Sequence, residues 1–78
     1  TNLVIVKTHK NQLDLHGVRH SEVDRVVENF VLLNDPPLTI ICGNSDKMIR
    51  IVENTLDRLY DSAGISWQVW NHNTFKIL

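Results

Sequence analysis

Between the proline pair Pro36-Pro37 and Gly43 lies a short run, Leu38 to Cys42, that is apolar and rich in β-branched residues. It is too short for a helix, and its pattern is that of an interior strand buried on both faces or nearly so. A chain with such a strand must wrap other elements around it, and the flanking segments have the required periods. Upstream, Val23, Val26, Val27, Phe30 and Val31 recur at the spacing of one apolar stripe on an amphipathic helix. Ser21, with an acid three residues on at Asp24, resembles a capping box, so the helix is expected to start there. Asn34-Asp35-Pro36-Pro37 stops it, because proline lacks the donor a helix interior requires. Downstream, Gly43-Asn44-Ser45-Asp46 opens a second helix. Its buried stripe is Ile49, Val52, Leu56 and Leu59, flanked by Met48 and Tyr60, and Gly64 is placed to end it.

The remaining segments alternate with period 2. In Gln12 to His16, Leu13 and Leu15 share one face and Asp14 and His16 the other. Leu3 to Val6, followed by the polar turn His9-Lys10-Asn11, can pair with it as an extra N-terminal edge strand. Ile65 to Asn71 and Thr74 to Leu78 form a closing hairpin across Asn71-His72-Asn73. Right-handed crossovers then place both helices on one face of a mixed four-stranded sheet. The expected class is α/β, in detail an α+β two-layer sandwich of βαβαββ order, with the hairpin strands next to the second strand. Residues 1–78 read as one domain with its core in 12–78, without internal repeat, low-complexity tract or linker.

Composition narrows the function classes. A chain of 78 residues buries only about 60–65% of the surface its unfolded form exposes, so packing must be economical. The single cysteine, Cys42, excludes an internal disulfide, and a reduced intracellular, cytoplasmic setting follows from that economy. The apolar runs are far short of the roughly 20 residues that span a bilayer, so a soluble protein with no membrane partner is expected. The chain opens at Thr1 without methionine, consistent with trimming or with a larger parent protein. Eight Lys and Arg against nine Asp and Glu give a net charge of -1, which argues against a strongly basic nucleic-acid coat and leaves room for a local basic site.

Such a site can be located. If the two helix-connected strands are parallel neighbours, His16-Gly17 and Cys42-Gly43 share one rim of the sheet, where ligands of open α/β sheets bind. The second helix begins there, so N–H groups near Ser45 to Lys47 and the positive end of the helix dipole favour a phosphate. Arg19, His20, Lys47 and Arg50 supply charge. Taken alone, Asp14 is a turn-capping carboxylate and His16 a polar strand end. His16 and His20 are four apart but are separated by Gly17 and the Ser21 cap, so they do not make a helical metal pair, and Cys42 is first a small buried hydrophobe. No metal or cofactor is expected. Trp67 and Trp70 fall on opposite faces by period 2, with Trp70 on the open sheet face, where it can stack a base, pack in the hairpin or meet a partner protein.

Leu13-Asp14-Leu15-His16-Gly17, followed by an amphipathic helix with Glu22 in its first turn, resembles the opening motif of the small MutS-related (Smr) domain. The family's second signature, a glycine-rich Thr/His-Gly-x-Gly turn, corresponds to Cys42-Gly43-Asn44-Ser45, which keeps the first glycine and lacks the second. The resemblance covers Gln12 to Leu78 and describes a stand-alone member with a degenerate glycine turn. It implies a fold similar to the C-terminal domain of the third bacterial initiation factor. It also implies endonuclease activity or nucleic-acid binding, with RNA or DNA as partner, Asp14 and His16 as catalytic residues and Gly43 with its neighbours as the phosphate turn. Gly17, Arg19, His20, Gly43, Asn44, Ser45, Lys47 and Arg50 are the expected nucleic-acid-binding residues. RNA is placed slightly ahead of DNA, because a histidine-centred site can use the ribose 2′-hydroxyl without a metal. The alternatives are a non-catalytic nucleic-acid-binding module and a protein-interaction adaptor using the open sheet face.

Overall fold

A computed structural model describes residues 7–9 and 11–78 of the chain. In order, the elements are β1 (Lys7–His9), β2 (Gln12–Asp14), α1 (His20–Leu33), β3 (Leu38–Ile41), α2 (Asp46–Ala63), β4 (Trp67–Asn71) and β5 (Thr74–Ile77). The strand read at Leu3 to Val6 lies outside the described residues; an edge strand is present at Lys7–His9, antiparallel to β2.

The α/β, two-layer class is the one observed. Both helices pack together on one face of a mixed sheet of order β1-β2-β3-β5-β4. β2 and β3 are parallel, with Leu13 opposite Ile40 and Asp14 opposite Ile41, and α1 crosses between them. β5 runs antiparallel to both β3 and β4, so β4 is parallel to β3, two places away. α2 spans that gap and β5 fills it. The C-terminal ends of β2, β3 and β4 therefore share one rim, which is also where both helices begin.

One face of the sheet is apolar. Leu13, Leu38, Ile40, Phe75 and Ile77 are buried against Val23, Val27, Phe30 and Val31 of α1 and Met48, Val52, Leu56 and Leu59 of α2. Each such side chain contributes about 1.5–3 kcal/mol on burial, offsetting the entropy of ordering a short chain. Thr55 is the buried polar residue between the helices. Its hydroxyl donates to the Asp24 carboxylate at 2.6 Å, with the Ile51 carbonyl 2.9 Å from the same oxygen. Arg58 joins the same carboxylate and Glu28. The Thr55 hydroxyl, and after it Arg58, holds the Asp24 carboxyl below its ordinary value. Among the described residues no helix is long and apolar enough to cross a membrane.

Several local expectations are corrected. α1 begins one residue before Ser21, with Arg19 at its N-cap and no side-chain cap: the Arg19 carbonyl accepts the Glu22 N–H at 2.9 Å, which takes Ser21 into the helix, and the Asp24 carboxylate that would close the box is engaged by Thr55 and Arg58 on α2. β3 is buried on one face only: Leu38 and Ile40 are covered, whereas Thr39 and Ile41 are half-buried, since among the described residues no helix lies over the second face. Tyr60 is exposed and leaves the stripe of α2 to Thr55. The ends of α2 match their residues. Ser45 Oγ accepts the Met48 N–H at 3.1 Å. Gly64, at φ 69°, turns the chain in the left-handed region and donates its N–H to the Tyr60 carbonyl.

Candidate functional site at the strand rim

β2 ends at Asp14, and the next residues explain how His16 is displayed. The Leu15 N–H still donates to the Ile41 carbonyl at 2.9 Å, and the Val18 N–H donates back to the Leu15 carbonyl at 3.0 Å, closing a four-residue turn. Gly17 is the third residue of that turn, at φ 80°, a value glycine adopts without steric cost. His16 is therefore the outer corner, exposed, on a rigid backbone pinned at both ends. The Asp14 carboxylate secures the corner from below: Oδ1 accepts the His16 backbone N–H at 2.9 Å. Among the described residues no hydrogen bond joins Asp14 to the His16 ring; the carboxylate positions the residue through its amide.

The parallel register brings the second motif alongside. Gly43 has φ 76°, and a Cβ placed on it would stand 3.9 Å from His16 Nδ1, so the imidazole stands beside this glycine. Contact with the ring would not by itself exclude alanine; the backbone angle does. Gly43→Ala is expected to cost about 1–2 kcal/mol in urea unfolding, the strain of a left-handed L-residue, and Gly43→Asn less, because asparagine visits that region more readily. Equal losses for the two would mean that the backbone angle is not the reason.

Ser45, N-cap of α2, satisfies the Met48 N–H, and the first intrahelical bond runs from the Ile49 N–H to the Ser45 carbonyl. The amides of Asp46 and Lys47 precede that bond and are the anion-attracting donors of this helix end. Lys47 and Arg50, three apart, share a helix face; Arg19, His20, Gly17 and Asn44 are exposed nearby at the starts of the helices. None of Arg19, Lys47 and Arg50 is in an ion pair among the described residues. Asp46 sits in the same first turn, where a carboxylate also complements the dipole.

The fold adds a third segment to the rim that its sequence reads only as a turn. Because β4 is parallel to β3, the Asn71-His72-Asn73 connection emerges beside Gly43, and the Asn73 carbonyl accepts the Cys42 N–H at 2.8 Å. The signal for it lies in the β3-α2-β4 crossover, which forces β4 to end on the rim where β3 ends. His72 is exposed there.

Cys42 takes no part in this surface. It is buried, and desolvation, then the nearby Glu53, pushes its thiol up to about 12. Folded protein at pH 8 is expected to resist thiol alkylation and to label on unfolding in urea; rapid labelling of the folded state would contradict this burial. Among the described residues no group of three or more His, Cys, Asp and Glu side chains is arranged to hold a metal ion. A shallow groove lined by Asp57, Tyr60, Ser66 and Trp67 lies at the far end of α2, about 16–21 Å from its first turn, and is not part of the rim. Comparisons of this chain with protein-family models, curated proteins and solved structures found no match.

Proposed function

We propose that this chain is an Smr-like domain acting on nucleic-acid phosphodiesters as an endonuclease, with RNA ahead of DNA, in an intracellular, cytoplasmic setting. The observation that carries the reading is the approach of the His16 imidazole to the Gly43 turn at the N-terminus of α2. A phosphate seated on Gly43, Asn44 and Ser45, with Lys47 beside it, lies within reach of His16, which moves the proton as general base or acid. Asp14 is a positioning residue that fixes the corner on which His16 stands. On RNA, attack by the 2′-hydroxyl would leave a 2′,3′-cyclic phosphate and a 5′-hydroxyl, with activity surviving EDTA.

A second reading, non-catalytic binding, is favoured by one specific observation: the Asp14 carboxylate is bonded to a backbone amide and not to the imidazole. Labelled single-stranded, duplex and branched RNA and DNA, incubated with wild type and with Asp14→Asn and Asp14→Ala, separate these readings. Cleavage kept by the asparagine and lost by the alanine supports the positioning role, since asparagine retains an oxygen for the amide. Salt-dependent binding without products supports the second reading. Products that require magnesium and carry 5′-phosphates overturn the mechanism, and absence of both binding and cleavage overturns the function.

A further inference from the structure

We infer that the open face of the sheet is a single-strand platform on which Trp70 stacks a base of the nucleic acid whose phosphate occupies the rim. The inference rests on the proposed function and adds a second subsite to it. Thr39 lies between buried Leu38 and Ile40 and so faces away from the helices. Lys76 Nζ donates to Thr39 Oγ1 at 3.2 Å and lies 4.9 Å from the centre of the Trp70 ring. The indole is thereby held on the uncovered face, 62% exposed. The register of β4 and β5 shifts between Val69 and Asn71, so Trp70 is the extra residue of a bulge, one of the devices that re-aim a side chain.

Its surroundings select the occupant. Among the described residues the open face carries Thr39, Gln68, Thr74 and Lys76 on the strands near the ring and Gln12 further off, with half-buried Ile41 as an apolar neighbour. A protein-docking patch needs a contiguous apolar centre, which an isolated indole among amides and a cation does not make. A base needs one aromatic face and a nearby positive charge for its phosphate, and both are present. Asp14, the acid of this face, stands at the rim with one oxygen on the His16 amide. Trp70 immediately precedes Asn71 of the rim turn. β4 is two strand spacings from β3, about 10 Å, or roughly three nucleotides at a stacked rise of about 3.4 Å.

The test uses labelled 12-mers of uridine and thymidine and a duplex of the same length, with wild type, Trp70→Ala, Trp70→Phe and Lys47→Ala. Binding is read by anisotropy, and stacking by quenching of indole fluorescence. Trp70→Ala is expected to weaken single-strand binding roughly 5- to 100-fold and duplex binding little, with an unchanged melting temperature. Trp70→Phe is expected to retain most of the affinity while losing the quenching, because the remaining indole, Trp67, packs against Phe75 on the helix side of the sheet. Trp70→Ala binding single strands as tightly as wild type, while Lys47→Ala binds weakly, overturns the platform and leaves the rim proposal standing. A change in oligomeric state on Trp70→Ala with affinity unchanged also overturns it, making Trp70 a self-association residue. Failure of wild type to bind any strand overturns both.

Discussion

His16→Ala is expected to lower single-turnover cleavage by about 10²–10⁴-fold, the range associated with loss of a positioned proton-transfer group. The fold should survive the change intact. His16 is an exposed turn corner whose backbone is held by the Leu15–Val18 bond, by Gly17 and by the Asp14 carboxylate, none of which involves the imidazole. Surface replacements of this kind normally stay within about ±0.5 kcal/mol. Substrate affinity should fall far less than rate, because Lys47, Arg50 and the α2 amides remain. The measurement is a rate at saturating protein beside a binding isotherm for the same oligonucleotide. A rate within about threefold of wild type would remove His16 from the chemistry, and parallel losses in affinity and rate would make it a binding residue.

The largest expected loss of stability is at Phe75. This ring is 2% exposed at the centre of β5, opposite Ile40 of β3 and Val69 of β4, and meets Trp67 edge-on with centroids 5.6 Å apart. Phe75→Ala removes contacts to both neighbouring strands and leaves a cavity that the surrounding residues refill only in part, at about 3–5 kcal/mol. A chain of 78 residues has about 4–12 kcal/mol of total stability, so the variant loses about a quarter of it or more, and unfolds at room temperature where the parent lies at the low end of that range. Urea unfolding followed by the fluorescence of Trp67 in a Trp70→Phe background reports it directly. A loss below about 1 kcal/mol would mean that β5 does not seat Phe75 against the helices as described.

The apolar periods determined which faces are buried. Val23, Val27, Phe30 and Val31, and then Val52, Leu56 and Leu59, line the observed core because a helix offers one face to the sheet and these spacings leave no other choice. The Gly43-Asn44-Ser45-Asp46 break and Gly64 marked the ends of α2, because capping is settled by neighbours along the chain, and the structure made Ser45 the N-cap. The rim motifs were visible for a related reason: a strand and helix joined by a short turn must meet at the strand's C-terminal end. Tertiary structure decided what depended on partners distant in sequence. The reciprocal bond of the capping box read at Ser21 was lost because Asp24 bonds Thr55 and Arg58 on another helix. Thr39 and Ile41 remained half-exposed because both helices settled on one face, as the order of crossovers had required, whereas the five-residue apolar run taken alone reads as covered on both faces. The Asn71-His72-Asn73 turn joined the rim through a crossover that skipped a strand position, and the Trp70 ring met Lys76 across a bulge. Local sequence acts through backbone preference and side-chain period, whereas these features follow from which elements lie side by side, a property of the whole chain.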